Sequence, residues 1–238
     1  MPNVFHDLVA QLPADYFLSM RLFLAILSAT LFVTAASAAS KPHAITFGRW
    51  TTVKLLSGPK EDEPTEIKIR PLSVDAALKA YTFGAPHEIS DRLLVVQRML
   101  RVNDTLPSET LAAPRWIWQR GGWIVVDRGN GHISPANLPE FDPDFSVANW
   151  YRDYVAYCGV SEDGRRLYAM VMQLGRRKPI LKKSIGETKD GDSPECSPPT
   201  WQRQPARVTF LVKPDQRITY AVRGSAAELS EDDEEGTE

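Results

Sequence analysis

The stretch that decides the fold is DYVAYCGVSEDGRRLYAMVMQLGRRKPILKK, residues 153–183. Two runs rich in apolar and strand-forming residues flank Asp163-Gly164, a pair that favours the tight turn of a β-hairpin. With that turn, Val160 faces Leu167, Cys158 faces Ala169 and Ala156 faces Val171. Both faces of this predicted hairpin are apolar, so we expect it to lie in the core, with other layers covering both sides.

Similar runs, separated by Gly, Pro and Asp, occur along most of the chain. They predict a mostly β protein with little helix, in which antiparallel hairpins and meanders form a small sandwich, barrel or incomplete propeller-like domain. Residues 91–103 fit a helix or a strand, and their valine content favours a strand. The segment SEDGRRLYAMV resembles the hairpins of TolB-like β-propellers; it does not recur at a fixed period and assigns the chain to no family.

A second hairpin is predicted in RWIWQRGGWIVVDRG, residues 115–129, with Gly121-Gly122 as its turn. Its tryptophans would then share one face with an arginine beside them, a combination that can hold a sugar, a base or a peptide. The alternative is that these tryptophans belong to the core. The predicted ligand-binding set is Trp116, Trp118, Arg120 and Trp123.

The segment MRLFLAILSATLFVTAASA, residues 20–38, has the layout of a secretory signal peptide. Arg21 precedes an apolar run, and Ala36-Ser37-Ala38 forms an A-x-A cleavage pattern. The run has about 15 residues, fewer than the roughly 20 that span a bilayer. We therefore expect a secreted or periplasmic protein, cleaved near Ala38, with no transmembrane helix in the mature chain. Residues 1–19 do not fit a signal and are interpreted as a non-native leader before a start at Met20.

The mature chain is predicted to comprise one β-rich domain, residues 39–227, and a disordered acidic tail, residues 228–238. Seven of the chain's 30 acidic residues lie in that tail, a composition typical of disordered segments. A basic domain with an acidic tail is consistent with shielding by the tail or with an anionic partner. A simply solvated tail is the alternative.

The chain has two cysteines, Cys158 and Cys196. In an oxidising compartment they are expected to form a disulfide, which would contribute roughly 3–4 kcal/mol by closing a long loop. The alternative is a core thiol at Cys158 and a loop thiol at Cys196. Two cysteines without histidines at finger spacing predict no structural metal site, and no cofactor is predicted.

Motifs of the common enzyme classes are absent from the chain: it has no G-x-S-x-G, Walker, G-x-G-x-x-G or H-E-x-x-H sequence. Acid–base chemistry needs a base beside a group that orients it. The candidates for this role are His87, Glu88, Asp91, Asp127 and His132. Alternatively, histidine and aspartate in polar turns hydrogen-bond the backbone.

The segment GRRKPILKK, residues 175–183, is strongly basic. It is suited to phosphate, acidic polysaccharide or the protein's own tail, or it is a charged edge that discourages strand pairing. The predicted basic patch comprises Arg176, Arg177, Lys178, Lys182 and Lys183.

Two hypotheses of function follow from these features. The first is an exported β-rich binding or structural module without chemistry of its own, with an unknown partner outside the cytoplasm, such as a protein or a carbohydrate, and no nucleic acid. The alternative is an extracytoplasmic hydrolase or lyase that uses a loop histidine with a neighbouring carboxylate.

Overall fold

The computed structural model describes residues 41–55, 65–106, 113–188, 196–213 and 216–230. These residues form strands, turns and loops and contain no helix, which confirms the mostly β prediction. None of them forms a helix that could cross a membrane. The fifteen strands within the described ranges are β1 (Ile45–Phe47), β2 (Thr51–Leu55), β3 (Thr65–Val74), β4 (Ala77–Glu88), β5 (Leu93–Asn103), β6 (Trp116–Asp127), β7 (Ile133–Pro135), β8 (Ala148–Tyr151), β9 (Tyr154–Val160), β10 (Arg166–Gln173), β11 (Leu181–Glu187), β12 (Thr200–Gln202), β13 (Arg207–Lys213), β14 (Gln216–Arg223) and β15 (Ala226–Leu229).

The predicted leader, the signal peptide and residues 231–238 lie outside the described residues. Strand β15 extends to Leu229, two residues into the predicted tail, because it pairs with β14 from Tyr220 to Arg223.

The hairpin predicted around Asp163-Gly164 is confirmed in its register, but Asp163-Gly164 is not a two-residue turn: the Gly164 N–H donates to the Ser161 carbonyl oxygen at 2.8 Å, and the connection between the strands is longer. Leu167 faces Val160, Ala169 faces Cys158 and Val171 faces Ala156. Gly164 has a φ of 71°, a conformation that glycine adopts without a steric penalty. Because the turn fixes the register, alternate residues of β9 and β10 are assigned to opposite faces of the sheet.

The sheet β11-β10-β9-β8 is the central layer of a sandwich-like arrangement. On one face, Val155, Tyr157 and Met172 pack with Val95 of β5. The opposite face packs against the sheet β12-β13-β14-β15, and its core cluster is Ala156, Ala169, Val171, Val208, Phe210, Tyr220 and Val222. Both faces are covered, as the apolar pattern of the hairpin predicts.

The third sheet has seven strands in the order β1-β3-β2-β6-β5-β4, with β7 beside β6. An additional pairing of β3 with β4 closes β3, β2, β6, β5 and β4 into a ring. The parallel contact between β2 and β6 joins Leu55 to Trp118, and the other pairs are antiparallel. Strand β5 confirms the strand interpretation of residues 91–103.

The predicted hairpin at Gly121-Gly122 is wrong. Strand β6 runs through both glycines and pairs along its length with β5. A shift of register between Gln97 and Met99 places the glycines in a β-bulge. A Cβ atom at Gly121 would lie 3.1 Å from the Arg98 carbonyl oxygen and 3.3 Å from Leu100 Cγ. Gly121 therefore accommodates the close approach of β5, and the glycine pair does not reverse the chain.

The predicted disulfide is present. Cys158 of β9 is bonded to Cys196, which lies just before β12, with their Cα atoms 5.6 Å apart. The bond thus ties the central sheet to the segment that enters the sheet β12-β13-β14-β15. The Cys158 side chain is buried.

Candidate functional site

A cavity of about 360 Å³ opens between the central sheet and the seven-stranded sheet. Its wall is contributed by strands β5 to β10 and the connection after β7, and the segment after β10 forms its rim. Its apolar lining residues include Leu93, Val125, Leu138, Trp150, Val155 and Met172, its polar ones are Ser134, Asn137 and Gln173, and the rim residues include Arg176 and Arg177.

Three of the wall residues form one row across the central sheet. Trp150 pairs with Val155 across β8 and β9, and Val155 pairs with Met172 across β9 and β10. Residues opposite each other in antiparallel strands point to the same face. The row therefore faces the seven-stranded sheet, and its residues, which are 9%, 0% and 1% exposed, form the buried apolar base beneath the cavity.

Trp150 is held in place by two other rings. Its ring centroid lies 5.4 Å from that of Trp123 and 6.0 Å from that of His87, which is nearly parallel to it. Trp150 is 9% exposed, and its indole N–H has no hydrogen-bond partner among the described residues. A buried N–H without an acceptor is destabilising, and the same condition holds for the indole N–H of the neighbouring Trp123.

The rim of the cavity is cationic. Arg176 and Arg177 are exposed, and neither guanidinium forms an ion pair with a described carboxylate. Gly175 has a φ of 83°, and the Arg176 N–H donates to the Gln173 carbonyl oxygen at 3.1 Å. This tight turn directs the chain from β10 to the cavity edge.

The structure divides the predicted basic patch. Arg176 and Arg177 line the cavity, and Lys178 and Lys183 are exposed without lining it. Lys182 forms an ion pair with Glu140, and its ammonium group lies 4.6 Å from the centre of the Tyr168 ring. The patch is therefore not one uniform surface.

The predicted tryptophan set is spread along β6. Trp118 packs edge-on against Tyr81 with ring centroids 5.0 Å apart, and Trp123 packs against Trp150. Trp116 is 52% exposed, with the Arg101 guanidinium 5.1 Å from its ring centre. Arg120 donates to the Asp144 carbonyl oxygen at 3.4 Å. The structure does not bring these four residues together, and Trp123 alone contacts a cavity residue through its ring.

Three of the five predicted acid–base residues, His87, Glu88 and Asp127, are engaged by other groups. The imidazole of His87 donates from Nε2 to the Arg152 carbonyl oxygen at 2.8 Å. Glu88 accepts two hydrogen bonds from Arg128, at 2.7 and 2.8 Å, and the Asp91 carbonyl oxygen accepts a third at 3.2 Å. Arg128 lowers the pKa of Glu88.

Asp127 accepts two hydrogen bonds from Arg92, at 2.6 and 2.7 Å. This pairing lowers the pKa of Asp127 to about 2. His132 lines a different cavity, beside Lys79 and Arg98. Neither His87 nor His132 is hydrogen-bonded to a carboxylate in the part of the chain that the structure describes.

A histidine–carboxylate pair that the sequence analysis missed is formed by His43 and Asp75. Their Nδ1 and Oδ2 atoms lie 2.5 Å apart, and Asp75 also accepts from the Ala44 N–H at 3.0 Å. The hydrogen bond from His43 is the main cause of a lowered pKa at Asp75. Among the described residues, no group of three or more acidic, histidine or cysteine side chains is arranged to hold a metal ion.

Trp150 is the site residue that sequence reasoning most clearly missed. It lies next to a two-residue turn, Arg152-Asp153, where Tyr151 pairs with Tyr154 and Arg152 has a φ of 54°. Asparagine or glycine is the usual signal for such a turn, and neither is present here. The pair Arg152-Asp153, between two segments rich in strand-forming residues, is the only sequence feature that could have placed Trp150 beside Val155.

Comparisons with protein-family models, curated proteins and solved structures find no match to this chain. The functional interpretation therefore depends on the geometry and chemistry of the described residues.

Proposed function

We propose that the protein is an exported binding module whose cavity between the two sheets takes a small ligand with an apolar body and an anionic group. One observation carries this proposal: the apolar cavity lined by Trp150 has two arginines at its rim that no described carboxylate neutralises.

The wall and the rim select different parts of such a ligand. Transfer of an apolar body from water to the wall contributes roughly 25 cal/mol for each Å² that is buried. The planar guanidinium groups of Arg176 and Arg177 match the paired oxygens of a carboxylate, phosphate or sulfonate. A ligand with a cationic group has no favourable partner at this rim.

Size and position also support a ligand site. A cavity of about 360 Å³ lies at the lower end of the roughly 300–1,000 Å³ range that is typical of small-molecule sites. Part of its wall comes from strands of two sheets, which hold their side chains in a defined register. A site formed in this way is available before the ligand arrives, so that less ordering is needed when it binds.

Export is part of the same proposal. The segment from Met20 to Ala38 has the features of a signal peptide, and the disulfide between Cys158 and Cys196 is compatible with an oxidising compartment. Mass spectrometry of the protein recovered from its native cells should give a mature N-terminus near Ala39. Recovery of an intracellular chain that retains residues 20–38 would contradict this part of the proposal.

The ligand class can be tested with three molecules of equal chain length: decanoate, decanol and decyltrimethylammonium. Each is titrated below the concentration at which it aggregates, and binding is measured by isothermal titration calorimetry. We expect decanoate to bind roughly tenfold more tightly than decanol, since a hydrogen bond to a charged group contributes about 1.5–3 kcal/mol. The ammonium compound should bind most weakly. Equal affinity for all three would contradict an anion-selective site.

A matched pair of double variants locates the effect. R176Q/R177Q removes two charges at the rim, and K178Q/K183Q removes two charges from the same segment outside the cavity. The first variant should bind decanoate and decanol equally, and the second should keep the preference of the original protein. If both variants lose the preference for decanoate over decanol equally, decanoate binding depends on the net charge of the protein and the proposed site is wrong.

The alternative, a hydrolase or lyase that uses His87 or His132, has less support. Its predicted carboxylates, Glu88 and Asp127, are each hydrogen-bonded to an arginine. The imidazole of His87 is hydrogen-bonded to a backbone carbonyl and packs against Trp150. These contacts favour a role for His87 in holding Trp150 in place over a role in proton transfer.

A further inference from the structure

A second cavity, of about 340 Å³, lies on the opposite side of β5 and β6 from the proposed ligand site. Three side chains that can carry positive charge line it: Lys79 of β4, Arg98 of β5 and His132, which immediately precedes β7. Its apolar floor consists of Ala80, Ile124 and Ile133. We propose that this cavity binds a phosphate group carried on a small apolar body.

None of the three side chains forms an ion pair with a described carboxylate. The lining residues include no carboxylate. The side chains of Arg98 and His132 form no hydrogen bond or ion pair with a described residue. Lys79 acts electrostatically on Asp75, whose carboxylate is already bound by His43 and by the Ala44 N–H. The nearby Asp127 is likewise bound by Arg92.

The local backbone explains how Arg98 and His132 reach the cavity. Arg98 lies within the register shift between Gln97 and Met99, and bulges commonly redirect a side chain toward a site. His132 follows Gly131, which has a φ of 67°. A Cβ atom at Gly131 would lie 2.9 Å from the His43 ring, so the turn that presents His132 requires glycine.

The three side chains complement a phosphate group. The guanidinium of Arg98 can donate two parallel hydrogen bonds to a pair of its oxygens, and Lys79 adds a mobile point charge. The imidazole of His132 supplies a further N–H donor. This combination of donors is selective for anions with several oxygens that accept hydrogen bonds at once.

The size and floor of the cavity indicate that the phosphate group is part of a larger molecule. At about 30 Å³ per water, a volume of 340 Å³ corresponds to roughly ten water molecules, which is much more than one phosphate group occupies. Ala80 is 8% exposed and Ile124 is 5% exposed, so the floor belongs to the core and is apolar. Ile133, which is only half-buried, offers the apolar surface on which an aryl or alkyl group can be buried.

The test uses phenyl phosphate, inorganic phosphate and phenol as probes of the intact protein at neutral pH. The imidazole signals are followed by two-dimensional ¹H–¹⁵N NMR, and H132Q identifies the signal of His132. We expect phenyl phosphate to shift that signal, with inorganic phosphate binding at least tenfold more weakly and phenol causing no shift. Equal affinity for the two phosphates would overturn the role of the apolar floor, and an unchanged His132 signal would overturn the site.

Two variants make the result specific. R98Q should weaken phenyl phosphate binding at least tenfold, because the paired donors are lost. R101Q is the matched control, since Arg101 lies in the same strand and contacts Trp116 outside the cavity. Equal weakening by both variants would overturn the proposal.

The double variant R176Q/R177Q distinguishes the ligand site beside Trp150 from the cavity lined by His132. That double variant should leave the His132 shift unchanged while it abolishes the preference for decanoate. Loss of both responses in R176Q/R177Q would show that phenyl phosphate binds at the rim of the first cavity and would contradict the second site.

Discussion

The two faces of the central sheet are built from alternating residues of the same two strands, yet they differ in character. Toward β13 and β14, the strands present small residues such as Ala156 and Ala169, which pack around Phe210. Toward the seven-stranded sheet they present Tyr157, Met170 and Met172, and here a cavity remains beside Trp150. One hairpin thus supplies a close-packed layer and the wall of the proposed ligand site.

Side-chain size explains the difference. Alanine allows a neighbouring sheet to approach closely, so that a large ring can fill the space between them at the density of a protein interior. Methionine is flexible and adapts to irregular surroundings. A layer rich in methionine and tryptophan can therefore remain ordered around a cavity. The layer around Phe210 should be sensitive to any change in side-chain volume, and the layer beside Trp150 should tolerate some of these changes.

The largest expected effect is the loss of a buried ring from the close-packed layer. F210A should lower the free energy of unfolding by about 3–5 kcal/mol, since Phe210 is 1% exposed. M172A removes a residue that already borders the cavity and should cost about 2 kcal/mol, the lower end for such changes. Urea unfolding followed by tryptophan fluorescence measures both. If M172A proves the more costly, the contrast between the faces is wrong.

A smaller and more discriminating comparison uses adjacent residues of β9. A156V adds methyl groups to the close-packed face and should cost about 1–3 kcal/mol, the usual effect of overpacking. V155I adds one methylene on the cavity side and should cost less than about 1 kcal/mol. Both side chains are fully buried, so exposure does not explain a difference. Equal losses in urea unfolding would indicate that the two faces are equally packed.

The smallest effect is expected at the surface, outside both layers. Arg92 lowers the pKa of Asp127 to about 2 from its usual value of 3.8. The stabilisation from this ion pair is therefore fully present above about pH 3.8 and is lost as the pH falls toward 2. The melting temperature of the original protein should exceed that of D127N at pH 6, and most of the difference should be lost as the pH falls through 2. A difference that stays constant between these pH values would contradict the role of the pair.

Hairpins with a strong turn signal could be predicted from the sequence in detail. Asp163-Gly164 marks the centre of the connection between β9 and β10, and the register follows residue by residue from that centre, because each pair extends the one before it. The turn itself is longer than two residues. The same reasoning failed at Gly121-Gly122. Glycine is favourable in a turn and in a bulge alike. The choice between them depended on pairing with β5, which lies earlier in the chain, outside the segment that contains the glycines.

The candidate sites were only partly predictable for a related reason. The basic segment identified Arg176 and Arg177, and the loop residues included His132. The apolar wall that accompanies the arginines, and the cations that accompany His132, come from strands distant in sequence. Lys79, Arg98 and His132 lie in three separate segments, and nothing in the local pattern around any of them indicates the other two.

The sequence alone determined the β class, the alternation that covers both faces of the hairpin, and the pair Cys158–Cys196. The β class and the alternation depend on residue type and on the two-residue period of a strand, which are local properties. The cysteine pair follows from the count, because the chain has two cysteines. Only the tertiary structure decided that β6 is one strand, that Trp150 stands in a row with Val155 and Met172, and that two cavities remain on opposite sides of β5 and β6. Such features depend on how sheets approach each other, and this approach is set by the sum of many contacts between residues far apart in the chain.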